Sequence, residues 1–170
     1  MPKGDLFEQR SGMHKSWVVD VAGLYVINSG GKYYKVGLAS NMYRRLSSYH
    51  ICWPLGFKFV NLALLDRWPK TNKDKQKAIR KKIREIEKRT HKILEASPHA
   101  KRIGLDASKS SEWFEVKNRG VITRAIQKAY LEWMADNKRT RGDKTLHTNQ
   151  TSIPTLITDM KNSDYENKRK

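Results

Sequence analysis

The sequence predicts a small α+β domain in which an antiparallel three-stranded sheet is flanked by helices. The first observation behind this prediction is a pair of β-branched, aromatic stretches that are joined by a turn with two glycines. The second is a later segment whose apolar residues recur at spacings of three and four, as on a helix. The third is a length of 170 residues with 38% hydrophobic residues, which suits one domain with a modest core.

The first two strands are predicted to form a hairpin. The stretch from Trp17 to Asn28 is rich in β-branched and aromatic residues, as strands are. Ser29 to Lys32 follows, and its two glycines supply the positive φ angles that a tight hairpin turn needs. Lys32 to Leu38 is the returning strand. The third strand is predicted from Phe57 to Trp68, with burial on both faces where its apolar residues run on without alternation.

Three helices are predicted between and after these strands. Asn41 is placed to cap a helix from Met42 to Tyr49, which Trp53, Pro54 and Gly56 would end. Asn72 or Thr71 caps a long helix that reaches Ala96. Its apolar stripe consists of Ile79, Ile83, Ile86, Thr90, Ile93 and Leu94. The last helix begins near Gly120 and has a broad apolar face, so we expect it to pack on the domain.

The composition divides the chain into four parts. Residues 1–16 are polar and predicted to be mobile, 17–118 form the main domain, 119–141 form the packed helix, and 142–170 form a polar basic tail. Within the tail, Ile153 to Ile157 is the one apolar stretch and the candidate for docking. No apolar run reaches the roughly 20 residues of a membrane helix. A lone cysteine, Cys52, excludes an internal disulfide, and we expect an intracellular protein in the cytoplasm or on nucleic acid.

Positive charge points to a polyanionic partner. The chain has 35 Lys and Arg against 17 Asp and Glu, a net charge of +18, and nucleic acid is the commonest partner of such chains. Half of this excess lies between Lys70 and Arg102, with 13 basic and 4 acidic residues. A merely solvated helix face would balance its charges, so we interpret this one as a phosphate-binding surface. The residues expected to contribute are Arg44, Arg80, Lys81, Arg84 and Lys88.

A set of short motifs accompanies these elements in a fixed order. They are Gly23-Leu24-Tyr25, Lys35-Val36-Gly37, Arg45, Tyr49, Glu87 with His91 four residues on, and Glu112-Trp113-Phe114. Each motif alone is a weak signal. Together, over about residues 22 to 116, they resemble the GIY-YIG nuclease superfamily, in the phage-type branch that has Lys-x-Gly as its second signature.

The resemblance implies a metal-dependent endonuclease that hydrolyses phosphodiester bonds, most simply in DNA, with Mg²⁺ or Mn²⁺. The roles it implies are catalytic for Tyr25, Lys35, Arg45 and Tyr49, metal-binding for Glu87 and supporting for His91. The residue types suit this chemistry. A lysine beside a phenol lowers the pKa of the phenol, which would make Tyr25 a general base. Arg45 offers a charged fork for phosphate oxygens, and Glu87 is a hard oxygen ligand for the metal.

Structural roles are open for the same residues. Tyr25 could be a half-buried strand tyrosine, and Tyr49 a core-edge aromatic on its helix. Glu87 could pair with His91 on a charged helix, and its choice over Glu85 depends on the resemblance. Of the adjacent Arg44 and Arg45, only one is expected to face the site, with Arg44 in solvent or on phosphate. An asparagine that several branches carry after the glutamate has no counterpart here.

Three functions compete at this point. The first is the endonuclease, whose single site would need a dimer or two successive nicks to cut both strands. The second is a basic nucleic-acid-binding or packaging protein that keeps the fold without cutting, since fold does not fix function. The third is a virion or assembly component that binds protein partners through its tail. The sequence does not fix the oligomeric state.

Overall fold

The fold is a single antiparallel sheet covered on both faces by helices. The computed structural model describes residues 15–52, 58–104, 112–141 and 155–158. The strands are β1 (Val21–Gly30), β2 (Tyr33–Ala39), β3 (Lys58–Arg67), β4 (Ala100–Ile103), β5 (Trp113–Val116) and β6 (Thr155–Thr158). The helices are α1 (Met42–Cys52), α2 (Lys73–Ala96) and α3 (Arg119–Arg141). The predicted α+β class is confirmed, with a strand order of β4-β5-β2-β1-β3-β6.

The three predicted strands form the centre of the sheet, and three more strands extend it. The sheet was expected to have only three strands, and this count is wrong because β4 and β5 add to the β2 side and β6 adds to the β3 side. Each added strand has four residues. The sequence predicts a short extended piece from Ser111 to Val116, so β5 is expected as an extended segment but not as a member of the sheet. Segments of four residues carry almost no periodic signal, because their extended form comes from the partner strand. β6 overlaps the predicted docking stretch of the tail from Thr155 to Ile157.

Alternation along β1 divides the interior into two apolar layers. Leu24 and Val26 point to the face that α2 and α3 cover, where they meet Ile83, Ile86 and Ile122. Residues one position along point to the opposite face, which α1 covers. The buried members of that second layer are Val18, Tyr25, Ile27, Ala39, Met42, Leu46 and Leu62. The candidate site residues of the hairpin therefore lie on the α1 side of the sheet.

The long helix begins and ends where the sequence predicts. The side-chain oxygen of Asn72 accepts a hydrogen bond from the backbone N–H of Lys75 at 3.0 Å, so Asn72, and not Thr71, is the N-cap. Ile83, Ile86, Thr90 and Leu94 are buried along the predicted stripe. The helix thereby packs on the sheet through this stripe, and Arg80, Lys81, Arg84 and Lys88 are exposed.

Several predictions concern residues outside the described part of the chain. These are the predicted mobile segment up to residue 14, the helix break at Trp53, Pro54 and Gly56, and most of the basic tail. Among the helices that the structure describes, none is long and apolar enough to cross a membrane.

Candidate nuclease-like site

Tyr25 lies at the centre of the α1 side of the sheet. Its side chain is 2% exposed, and its hydroxyl oxygen is 2.8 Å from that of Tyr49 on α1. The two rings meet edge to face, with centroids 5.6 Å apart. Tyr25 is thus more deeply buried than the half-buried strand tyrosine of the structural alternative, and its polar end is directed to a second phenol.

Gly37 of the second motif leaves room for the Tyr25 ring. The two residues are opposite each other in the β1–β2 ladder, and a Cβ atom on Gly37 would lie 2.6 Å from Cζ of Tyr25 and still closer to its hydroxyl oxygen. Gly23 is similarly close to the backbone of Ala63. Both motif glycines therefore have a steric reason that is independent of chemistry.

Substitution of Gly37 by alanine is expected to displace the Tyr25 phenol. We expect the free energy of unfolding to fall by about 1–3 kcal/mol, as for other overpacked positions, and the hydrogen bond to Tyr49 to be lost. Urea unfolding measures the first effect, and the tyrosine absorption difference spectrum measures the second. The control is Gly31→Ala at the hairpin turn, where a Cβ would meet nothing within 4 Å but the backbone has a φ of +55°, so this variant should lose stability through turn strain and leave the Tyr25 environment unchanged. An unchanged Tyr25 environment in Gly37→Ala would contradict the steric role.

Lys35 shares the face of Tyr25, as the hairpin predicted. The register pairs Tyr25 with Gly37 and Ile27 with Lys35, so the two side chains are one pleat apart. The Nζ atom of Lys35 lies 3.2 Å from Oε2 of Glu112 and 5.6 Å from the Tyr49 ring centroid. Burial lowers the pKa of Lys35, but the Tyr49 hydroxyl and the Glu112 carboxylate outweigh burial and leave the pKa raised. The ammonium therefore stays charged.

The expected lowering of the Tyr25 pKa by Lys35 is wrong in this structure. Burial raises the pKa of Tyr25 well above its usual value, and the hydrogen bond to Tyr49 and the charge of Glu112 raise it further. Arg45 opposes this shift but does not overcome it. The reason is geometric: the Lys35 ammonium is directed to Glu112 and Tyr49 and reaches Tyr25 only through the Tyr49 hydroxyl.

Glu87 is a buried carboxylate on the inner face of α2. It is 8% exposed, and its Oε1 atom has no hydrogen-bond partner among the described residues. Burial, followed by the nearby charge of Glu112, raises its pKa to about 7, while Arg84 and Lys35 lower it. Lys35 and Glu112 thus connect the helix carboxylate to the hairpin residues.

The neighbouring Glu85 has a structural role instead. Its Oε2 atom accepts a hydrogen bond of 2.9 Å from Nε1 of Trp133 on α3, and its other oxygen lies 4.0 Å from Nζ of Lys81. Glu85 therefore joins the two long helices on their outer side. The geometry separates the two glutamates, which the sequence alone could not do.

The donor set fits one divalent cation held by a single protein carboxylate. No group of three or more His, Cys, Asp or Glu side chains suited to a metal occurs among the described residues. Mg²⁺ commonly keeps several waters and binds through one or two carboxylates together with substrate phosphate oxygens. The unpartnered Oε1 atom of Glu87 is the kind of ligand that such a site requires.

His91 fastens α2 to the sheet beside this carboxylate. Its Nε2 atom lies 3.0 Å from the carbonyl oxygen of Val36, the residue between Lys35 and Gly37. Burial lowers the pKa of His91, so the ring is neutral, and a carbonyl can only accept, so Nε2 carries the proton. This position agrees with the supporting role expected of His91 and leaves Nε2 engaged.

Glu112 is the site residue that sequence reasoning missed. In the sequence it stands out only as the first residue of the Glu-Trp-Phe motif, yet its charge acts on Tyr25, Lys35, Glu87 and His91. Its backbone carbonyl accepts a 3.0 Å hydrogen bond from Val36 N–H, which fixes the start of β5 against β2. The available signal was its place directly before Trp113, the residue that pairs with Lys35.

Arg44 and Arg45 both lie on the exposed side of α1. They line a groove of about 510 Å³ together with Ala39, Ser40, Asn41, Ser48, Trp68 and Arg80. Both arginines therefore border the groove, and Arg45 is an arginine whose charge acts on Tyr25. That only one of the two faces the catalytic residues stays a prediction.

The other predicted phosphate-binding residues lie along the outer surface of α2. Arg80, Lys81, Arg84 and Lys88 are all exposed. Lys81 is within 4.0 Å of Glu85, while Arg84 is close enough to Glu87 to lower the pKa of that carboxyl. The basic surface thus reaches from the groove to the buried carboxylate.

The chain matches the model of a known protein family. The family model of the T5orf172 domain matches residues 22–134. This chain belongs to the T5orf172 domain family. The match covers strands β1 to β5 except for Val21, together with most of α3, and so every residue of the candidate site. No curated protein and no solved structure matches the chain.

Proposed function

We propose that this T5orf172 domain protein is a metal-dependent endonuclease that hydrolyses phosphodiester bonds, with DNA as the favoured substrate. The observation that carries the proposal is the buried Glu87 carboxylate, whose Oε1 atom has no partner among the described residues and whose neighbours are Lys35 and Glu112. A protein that only bound nucleic acid would gain nothing from this buried charge, because burial without a partner is costly. The T5orf172 domain is phage-associated and often linked to a GIY-YIG-like nuclease fold, which supports the resemblance.

The proposed roles follow from positions around the α1 side of the sheet. Arg45 binds oxygens of the scissile phosphate, because its planar guanidinium is exposed in the groove and close to Tyr25. Glu87 holds a divalent cation, which supplies charge stabilisation for the leaving 3′ oxygen. Lys35 donates to the Tyr49 oxygen and so brings positive charge close to the Tyr25–Tyr49 pair, where it would favour a phenolate, while the hydrogen bond between the two hydroxyls itself raises the pKa of Tyr25.

Tyr25 accepts a proton from the attacking water in this scheme. Its raised pKa means that the phenolate is rare until positive charge gathers at the site. Arg45 already acts in that direction, and so would a cation at Glu87. Glu112 has a positioning role, since it holds the Lys35 ammonium at 3.2 Å and keeps it beside Tyr49.

A non-catalytic basic binding protein is the second candidate function. The net charge of +18 and the raised pKa of Tyr25 favour it. A protein that only binds nucleic acid gives no reason for Glu87 to be a buried carboxylate. It also gives no reason for the side chains of Lys35, Tyr49 and Tyr25 to contact one another in sequence.

Nicking of supercoiled plasmid separates the two functions. Wild type with Mg²⁺ or Mn²⁺ is expected to convert the plasmid to the open circle, and EDTA is expected to stop the reaction. Glu87→Gln should lower the rate by at least about 10²-fold with unchanged binding, since the metal ligand is lost while the charge changes by only one unit. Glu85→Gln makes the same change two residues away and should nick normally. Tight binding without nicking in all three proteins would leave the binding protein as the function.

A further inference from the structure

The groove beside α1 has the composition of an anion site. Of the described residues that line it, three are arginines and none is a carboxylate. Among the described residues, none of Arg44, Arg45 and Arg80 forms an ion pair with an acidic side chain. Unpaired guanidinium groups around one concavity attract an anionic group that can accept several hydrogen bonds, and a phosphate diester is such a group.

Trp68 holds one of these arginines in position. The guanidinium carbon of Arg80 lies 5.0 Å from the centroid of the Trp68 ring, so the charged group rests on an aromatic face. Trp68 follows β3 directly and is itself packed against the main apolar layer. A long side chain that would otherwise sample many rotamers is thereby directed along the groove wall before any ligand arrives.

Helix geometry separates this groove from the proposed metal ligand. Arg80 and Glu87 are seven residues apart on α2, which is nearly two full turns, so their side chains leave the helix in nearly the same direction, with Arg80 exposed, Glu87 buried and roughly 10 Å between them along the axis. The Arg80 guanidinium is held against Trp68, while Glu87 lies nearly two turns further along α2. We therefore assign different phosphates to Arg80 and to Glu87.

We propose that the groove binds a backbone phosphate on one side of the scissile bond, held by Arg80 and Arg44 with Trp68 as the positioning residue. The proposal rests on the function above for the location of the scissile phosphate at Arg45 and Glu87. It adds that the strand continues past this point along the N-terminal half of α2. The substrate is then a strand with at least one further nucleotide on the groove side, which excludes release of a terminal nucleotide from that side.

Neutral linkages in the substrate test this inference. In single-turnover cleavage, methylphosphonates replace one phosphate at a time on either side of a mapped cut. Wild type is expected to lose about 10-fold in rate at one position on one side. Arg80→Ala should be slowed by a similar factor on normal DNA, and the same neutral linkage should slow it no further. Additive losses in that comparison would overturn the proposal. Trp68→Leu should give an intermediate loss that resides in substrate binding and not in the rate of the bound complex.

A binding measurement separates failure of the groove from failure of the nuclease. In the Glu87→Gln background, log Kd is measured against log salt concentration with a short DNA duplex. Arg80→Ala is expected to lower the slope by about one, and Lys92→Ala, an exposed change on another side of the same helix, should leave it unchanged. A lowered slope without any cleavage by wild type would support phosphate binding in the groove and reject the proposed nuclease activity. Normal cleavage with an unchanged slope would reject the groove alone. Saturable, Arg80-dependent binding of inorganic phosphate with no effect on DNA would also overturn the proposal.

Discussion

Replacement of Tyr25 by phenylalanine is expected to reduce the cleavage rate by about 10²–10⁴-fold, the range that a positioned general base contributes. The ring would still fill the space over Gly37, so the fold should persist. The lost hydrogen bond to Tyr49 should lower the free energy of unfolding by only about 1 kcal/mol. The measurement is single-turnover cleavage of a labelled duplex at saturating protein, with urea unfolding of the same preparation.

Tyr49→Phe is the matched control for this experiment. It removes the other hydroxyl of the same 2.8 Å pair, so both variants lose the same hydrogen bond. If Tyr25 is the base, Tyr49→Phe should be less impaired than Tyr25→Phe, because the hydroxyl that accepts the proton remains and the hydrogen bond that raises its pKa is removed. Equal losses in the two variants would indicate a shared structural role. Full activity of Tyr25→Phe would remove Tyr25 from the chemistry.

Glu87→Gln is expected to make the protein more stable at pH 8 than the wild type. The pKa of Glu87 is about 7 in the folded protein, above the 4.5 of an ordinary glutamate. The stability that this group contributes is therefore fully present below pH 4.5 and is lost as the pH rises through 7. The difference corresponds to roughly 3 kcal/mol at full ionisation, and glutamine does not lose it because it carries no proton to release.

Urea unfolding at pH 5, 6.5 and 8 measures this effect. The free energy of unfolding of wild type should fall from pH 5 to pH 8 relative to that of Glu87→Gln. Glu85→Gln changes a partly exposed carboxylate, and its free energy of unfolding should follow the same pH course as that of wild type. Glu112→Gln should move the wild-type midpoint to lower pH, because the Glu112 charge is the second cause of the raised pKa. Addition of Mg²⁺ at pH 8 should restore stability to wild type alone. Parallel curves for wild type and Glu87→Gln would show that the carboxylate is not buried as described.

Local sequence was sufficient for the central elements and for the choice of hairpin face. The glycines of the turn, the Asn72 cap and the spacing of the apolar stripe from Ile83 to Leu94 are local patterns, which the sequence displays directly. The same-face placement of Tyr25 and Lys35 followed from period-two alternation and a short turn.

The electrostatics of the site could not be predicted in the same way. The Lys35–Glu112 contact joins residues 77 positions apart, and its partner strand β5 is only four residues long. Without that contact, Lys35 was assigned to Tyr25, and the shift of the tyrosine pKa was expected in the wrong direction. Burial is the largest cause of the raised pKa of both Tyr25 and Glu87. How deeply a residue is buried depends on the packing of the layers and not on any motif.

The hydrogen bond from His91 to the Val36 carbonyl also has a consequence for how α2 can move. Each residue of an α-helix turns the chain by about 100°, so a slip of α2 by one position would rotate Glu87 away from the sheet edge. Such a slip would also break the His91 bond, which stands one turn from Glu87 and ends on the strand that carries Lys35. The His91 side chain thus fixes the rotation of α2 about its own axis. It thereby couples the position of the Glu87 carboxylate to the position of Lys35.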